Sequence, residues 1–102
     1  MKTPIESFTD APTLFPLGRV VATPGVLEKY DNSVLRKLLF RHQRGDWGKL
    51  SKSDARQNDR AVKTADIRIF SSYEKEDYLS SKVWVITEWD RSVTTILLPS
   101  EY

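Results

Sequence analysis

At 102 residues, with 39% hydrophobic and 29% charged side chains, the chain is sized for one domain with a single modest core. It has no cysteine, which excludes a disulfide framework, a cysteine-held zinc site and a thiol nucleophile, and fits a reducing cytoplasm. The net charge is only +2, but residues 28–68 carry eleven Lys/Arg against six Asp/Glu, which leaves the flanks net acidic. A basic middle between acidic ends can steer a polyanion toward one face. The plainer reading of the same excess is a solvated, lysine-rich helical surface.

The opening MKTPIESFTD has no apolar run behind its lysine and is not read as a signal peptide. No stretch approaches the roughly 20 apolar residues of a membrane span. A cytoplasmic protein with no membrane partner is expected. Residues 1–12, with two prolines and no periodicity, are read as a flexible tail, and residues 13–102 as a single α+β domain.

Residues 17–22 form a short β-leaning run. Thr23-Pro24-Gly25 then supplies an N-cap hydroxyl and a proline at the first helical position, so a helix begins at residues 26–30. Asp31, Asn32 and Ser33 interrupt it and offer a second cap. Val34, Leu35, Leu38 and Leu39 follow as a helical apolar stripe, with Arg36, Lys37 and Arg41 turned outward. Gly45 and Gly48 end that helix. Ser51-Lys52-Ser53-Asp54 resembles a capping box and opens a third helix running to about Lys63. Leu50, Ala55, Ala61 and Val62 are nearly all that this helix can bury, so it belongs on the surface.

From Ile67 the period changes to two. IRIFSSY, KVWVITEW and SVTTILL are rich in β-branched and aromatic residues, EKEDYLSSK separates the first pair, and Asp90-Arg91-Ser92 joins the second as a tight hairpin. The expected architecture is α+β: a short N-terminal strand, two to three helices packed on one side, then a three-stranded antiparallel meander.

The chemistry-bearing residues concentrate in RHQRGDWGKL, residues 41–50, which holds the chain's one histidine. His42 is expected at the edge of the loop, where the carbonyls at a helix end favour a positive imidazole. Arg41 and Arg44 bracket it, Asp46 can hold one of them, and Trp47 can stack on a base or plug the core. A histidine among arginines is also what metal-independent RNA cleavage needs, with imidazole moving the 2′-hydroxyl proton and guanidinium groups stabilising the charged transition state. Other chemistries find no support. One histidine and no cysteine leave too few ligands for structural zinc, GDWG is too short for a phosphate loop, and no serine sits in a nucleophile elbow. No cofactor and no metal are expected. Trp84, Trp89 and Tyr102 are read as core and rim aromatics, with Trp89, beside a turn, the one placed for exposure.

FPLGRVVATPGVL, RHQRGDWG and WVITEWDRSVTTILLPSEY together resemble a widespread family of small uncharacterised bacterial proteins often labelled plasmid-related. That resemblance implies cytoplasmic life on mobile DNA and names no substrate. The order of helices followed by an antiparallel sheet is also similar to barnase-like and RelE-like ribonuclease toxins. That likeness would make His42, Arg44, Arg91 and Thr94 the catalytic candidates, although no glutamate–histidine pair stands at a matching place. The leading expectation is a non-enzymatic accessory protein of mobile elements, binding a protein or nucleic-acid partner through Arg41, His42, Arg44 and Trp47. A metal-independent ribonuclease is the alternative. An inhibitor of a host defence system is a third, without the strongly acidic surface that nucleic-acid mimicry needs.

Overall fold

Local capping residues start the two longer helices where the sequence places them. In the computed structural model, which describes residues 13–76 and 78–102, the chain runs β1 (Arg19–Ala22), α1 (Pro24–Lys29), α2 (Asn32–Gln43), α3 (Lys52–Thr64), β2 (Ile69–Tyr73), β3 (Val83–Thr87) and β4 (Val93–Leu97). A 3₁₀ turn, Pro99–Glu101, closes it. The expected tail, residues 1–12, lies outside the described residues. Asp31 caps α2 by accepting from the N–H groups of Ser33 at 3.1 Å and Val34 at 3.2 Å, and Ser51 caps α3 by accepting from Asp54 N–H at 3.1 Å.

The start of α1 is held differently. The Thr23 side chain makes no cap bond; its hydroxyl donates to the carboxylate of Glu101, which also accepts from Gly25 N–H at 2.8 Å and Leu98 N–H at 3.2 Å. A carboxylate from the far end of the chain thus serves the orphan donors and positive dipole end of α1.

The architecture is α+β, but the sheet is larger than the expected meander. Strands β2, β3 and β4 pair consecutively and antiparallel, with Ile69 opposite Thr87, Tyr73 opposite Val83, and Thr87 opposite Thr94. The expected three-stranded antiparallel sheet is corrected by β1, which adds a fourth strand parallel to β4 with Arg19 opposite Val93 and Ala22 opposite Ile96. The physical reason lies in connectivity. A meander leaves the outer side of β4 unpaired, and a strand that precedes all three helices can reach it in the parallel sense only over that long crossover.

The helices bury against one face of this sheet. Val26 of α1 and Leu35 and Leu38 of α2 pack with Tyr73, Val83, Val85 and Ile96. A smaller cluster of Phe15, Trp47, Ala61 and Ile69 ties in α3. As its composition implies, α3 buries little, only Asn58 and Ala61. The Asn58 amide docks like an extra strand residue, donating to Phe70 O at 2.7 Å and accepting from Phe70 N–H at 3.2 Å. On the opposite face Phe70, Trp84 and Tyr102 meet edge to face, with ring centroids 5.1 and 5.7 Å apart. Among the described residues, no helix is long and apolar enough to cross a membrane.

Beyond Phe70, the outer edge of β2 is closed by the α2–α3 connection. Ser72 N–H donates to Trp47 O at 3.0 Å and Lys49 N–H donates to Ser72 O at 2.7 Å. Gly48 sits between these bonds with φ 76°, and a Cβ there would collide with the Ser72 carbonyl. Gly48→Ala is therefore expected to destabilise by more than about 1 kcal/mol, from left-handed strain and displacement of the edge together. Urea unfolding of the two proteins measures it, and equal midpoints would contradict this view of the edge.

Candidate functional site

His42 falls in the last turn of α2 and its residue is 0% exposed. This corrects the expectation of an imidazole at the loop edge. The ring is walled by Phe15, edge to face at 5.2 Å, and by Trp47 at 6.0 Å. Its nitrogens meet hydroxyls on two strands: Nδ1 lies 2.6 Å from Ser71 Oγ and Nε2 lies 2.9 Å from Thr87 Oγ1. Thr87 Oγ1 is 2.7 Å from Thr94 Oγ1, and the Thr94 hydroxyl donates to Leu17 O at 2.7 Å.

The end of this chain determines its direction. A carbonyl only accepts, so Thr94 spends its proton on Leu17 and must accept from Thr87. Thr87 in turn must accept from His42, which puts the ring proton on Nε2 and leaves Nδ1 to accept from Ser71. The imidazole is neutral, and burial pushes its pKa from 6.5 down to about 3. With both nitrogens occupied and no surface, the ring has no route for exchanging a proton with a bound substrate.

The other residues of the loop are committed as well. Arg41 donates from Nε to Asp46 at 2.7 Å and from Nη1 to Tyr78 at 2.5 Å, approaches Glu76 at 3.4 Å, and lies 4.5 Å over the Tyr73 ring. The hydrogen bond to Asp46, above all, holds its pKa above the ordinary arginine value. Arg44 lies 3.8 Å over the Phe40 ring and donates to Phe40 O at 3.3 Å. Trp47 is 7% exposed, stacks on Phe15 at 6.2 Å and donates from Nε1 to Asp59 of α3 at 3.2 Å. RHQRGDWG is therefore a joint between α2, α3 and the edge of β2.

Arg91 occupies the β3–β4 turn with φ 61°. Its guanidinium donates to four carbonyls: Ile67 at 2.7 Å, Ala61 at 2.8 Å, Trp89 at 3.0 Å and Glu88 at 3.1 Å. That side chain fastens the hairpin to the C-terminal turn of α3. Of the four ribonuclease candidates, His42 and Thr94 share one buried chain through Thr87, while Arg44 bonds back to Phe40 and Arg91 to its four carbonyls, with the Arg91 guanidinium 5.9 Å over the Phe15 ring. Two surface clefts, of about 400 Å³ beside Tyr30 and about 300 Å³ beside Val20 and Leu27, are lined by none of the four. Among the described residues, no group of three His, Asp or Glu side chains is placed to hold a metal.

The surface that stands open is one the loop-centred expectation missed. On α3, Lys52, Arg56, Arg60 and Lys63 follow one another at intervals of four, four and three residues, within an arc of about 80° at 100° per residue. All four are exposed, and among the described residues none makes an ion pair. Their arc lies roughly opposite Asn58 and Ala61, the buried face of the helix. The four-four-three spacing is a local property of the sequence. No protein-family model, curated protein or solved structure matches the chain.

Burial of neutral His42 has a pH consequence. The unfolded ring takes up a proton near pH 6.5 that the folded ring refuses until about pH 3. The unfolded state thus binds more protons across that window, so the stabilisation is complete above it and is lost as pH falls. Between about pH 7.5 and 5.5 the wild type should lose about 1.4 kcal/mol more than His42→Gln. The variant should already be about 1–3 kcal/mol less stable at neutral pH, because buried hydroxyls lose partners. Urea titrations of both proteins at the two pH values measure both effects; parallel pH dependence would place the ring in solvent.

Proposed function

We propose that the chain is a non-enzymatic nucleic-acid-binding domain that lays the outer face of α3 along a phosphate backbone. The observation that carries this reading is the exposed line of Lys52, Arg56, Arg60 and Lys63, free of carboxylate partners among the described residues. From the first to the last of these residues α3 advances about 16 Å, long enough to follow several phosphates of one strand. A cation already paired, such as Arg41 with Asp46, has little to gain from a phosphate. An unpaired one releases condensed counterions when it binds. The resemblance to plasmid-related bacterial proteins supplies a fitting setting, an accessory role on mobile DNA in the cytoplasm. The binding face is thus on α3 and not on the loop at residues 41–47.

Fluorescence anisotropy with a labelled oligonucleotide, repeated across a salt series, tests the proposal. Four phosphate contacts predict that log K falls with log salt at a slope of about −3. Replacing Lys52, Arg56, Arg60 and Lys63 together by alanine should flatten that slope toward zero and weaken binding at least about 30-fold near 50 mM salt. Replacing Lys29, Lys75 and Lys82, away from α3, should leave both almost unchanged. Absence of binding by the wild type at low salt, or equal loss in both variants, would overturn the assignment.

A further inference from the structure

We infer that the ligand of this surface is single-stranded nucleic acid, with Trp89 as a platform on which an unpaired base stacks; the inference rests on the α3 reading above. Two of the three tryptophans are used internally. Trp47 stacks on Phe15, and Trp84 meets Phe70 and Tyr102. Trp89 is 61% exposed, and among the described residues its ring makes no aromatic or cation–π contact. A bare indole would be explained by a loose turn, but this turn is firmly built. Arg91 N–H donates to Glu88 O at 2.9 Å, and Asp90 accepts from Ser92 N–H at 3.1 Å and Ser92 Oγ at 2.6 Å. Arg91 holds a left-handed backbone conformation that costs a non-glycine residue free energy, and its guanidinium ties the Trp89 carbonyl to those of Ala61 and Ile67.

The mount fixes where the turn sits along α3. One guanidinium joins the backbone of Trp89 to Ala61, the residue after Arg60 and two before Lys63, so the indole-bearing turn adjoins the C-terminal turn of α3, the helix that carries the basic line. Cations along a helix, with an exposed aromatic on a firmly bonded turn beside that helix's end, match a strand whose bases are free to unstack. A duplex keeps its base faces inside the stack and offers this surface only phosphates.

Binding of a twelve-nucleotide oligothymidylate, its oligouridylate counterpart and a duplex of equal length to wild type, Trp89→Ala and Trp89→Phe tests this. Both single strands should bind the wild type more tightly than the duplex. Trp89→Ala should weaken single-strand binding on the order of 10- to 100-fold and duplex binding less than about 2-fold, and Trp89→Phe should restore part of the loss. The exposed indole should also be quenched on saturation with oligothymidylate, and the quenching should disappear in Trp89→Ala. The uridylate arm reports whether RNA is taken as readily as DNA. Wild-type binding that prefers duplex, or that survives Trp89→Ala undiminished, overturns the single-strand assignment while leaving the α3 surface standing. Failure of the wild type to bind any of the three overturns both.

Discussion

The carbonyl oxygen of Leu17 has lone pairs and no proton, and that asymmetry propagates through four side chains. Thr94 must donate to it, Thr87 to Thr94, His42 to Thr87, and Ser71 to the remaining ring nitrogen. The result joins Leu17, two residues before β1, to β4, β3, α2 and β2 through one line of hydrogen bonds. A hydroxyl buried without a partner costs about 1–3 kcal/mol, so such a line favours the native arrangement only when every member is satisfied. It also pins register. Thr87 and Thr94 face each other across β3 and β4, and a one-residue slip of either strand would turn its hydroxyl to the other face of the sheet. Phe15 and Trp47 exclude water from the ring, and Trp47 in turn reaches α3 through Asp59. Beside the Asn58–Phe70 and Arg91–Ala61 bonds, one of the ties that place α3 and the charges it displays therefore runs from the same neutral imidazole.

That dependence separates two sets of polar residues that look alike in composition. Arg41, His42, Arg44 and Trp47 are rich in chemistry; Arg41, His42 and Trp47 tie helices, loop and sheet together, and Arg44 folds back on Phe40 of its own helix. Lys52, Arg56, Arg60 and Lys63 hold nothing among the described residues. Binding a polyanion requires positive charge that is not already neutralised and that faces solvent, which is the condition α3 meets. Arg91 is likewise spent on structure. It is desolvated enough that burial lowers its pKa, and it uses its charge to gather carbonyls at the end of α3 rather than to meet a ligand.

Much of the local structure is legible in the sequence because its causes are local. Asp31 and Ser51 begin their helices as capping residues should, the apolar spacing of Leu35 and Leu38 marks the buried side of α2, and the run of β-branched residues after Ile67 yields the three antiparallel strands. What escapes is long-range. Four residues of β1 announce a strand but not its neighbour, Glu101 caps a helix seventy-odd residues earlier, and Arg91 takes a backbone conformation that favours glycine or asparagine. The direction of His42 is equally hidden: a histidine in the last turn of a helix can face water or core, and only Ser71 and Thr87, far along the chain, decide. The spacing that puts four cations on one side of α3 was by contrast fully local.

Because the chain contains a single histidine, its imidazole can be observed without assignment ambiguity. Nitrogen-15 NMR of the ring, followed from about pH 8 to about pH 5, tests the central claim directly. A buried neutral ring donating through Nε2 predicts one fixed pair of nitrogen shifts typical of the Nε2–H tautomer, a slowly exchanging ring proton, and no titration across that range. A ring that titrates near the ordinary histidine pKa, or that carries its proton on Nδ1, would contradict the hydrogen-bond chain and the core built around it.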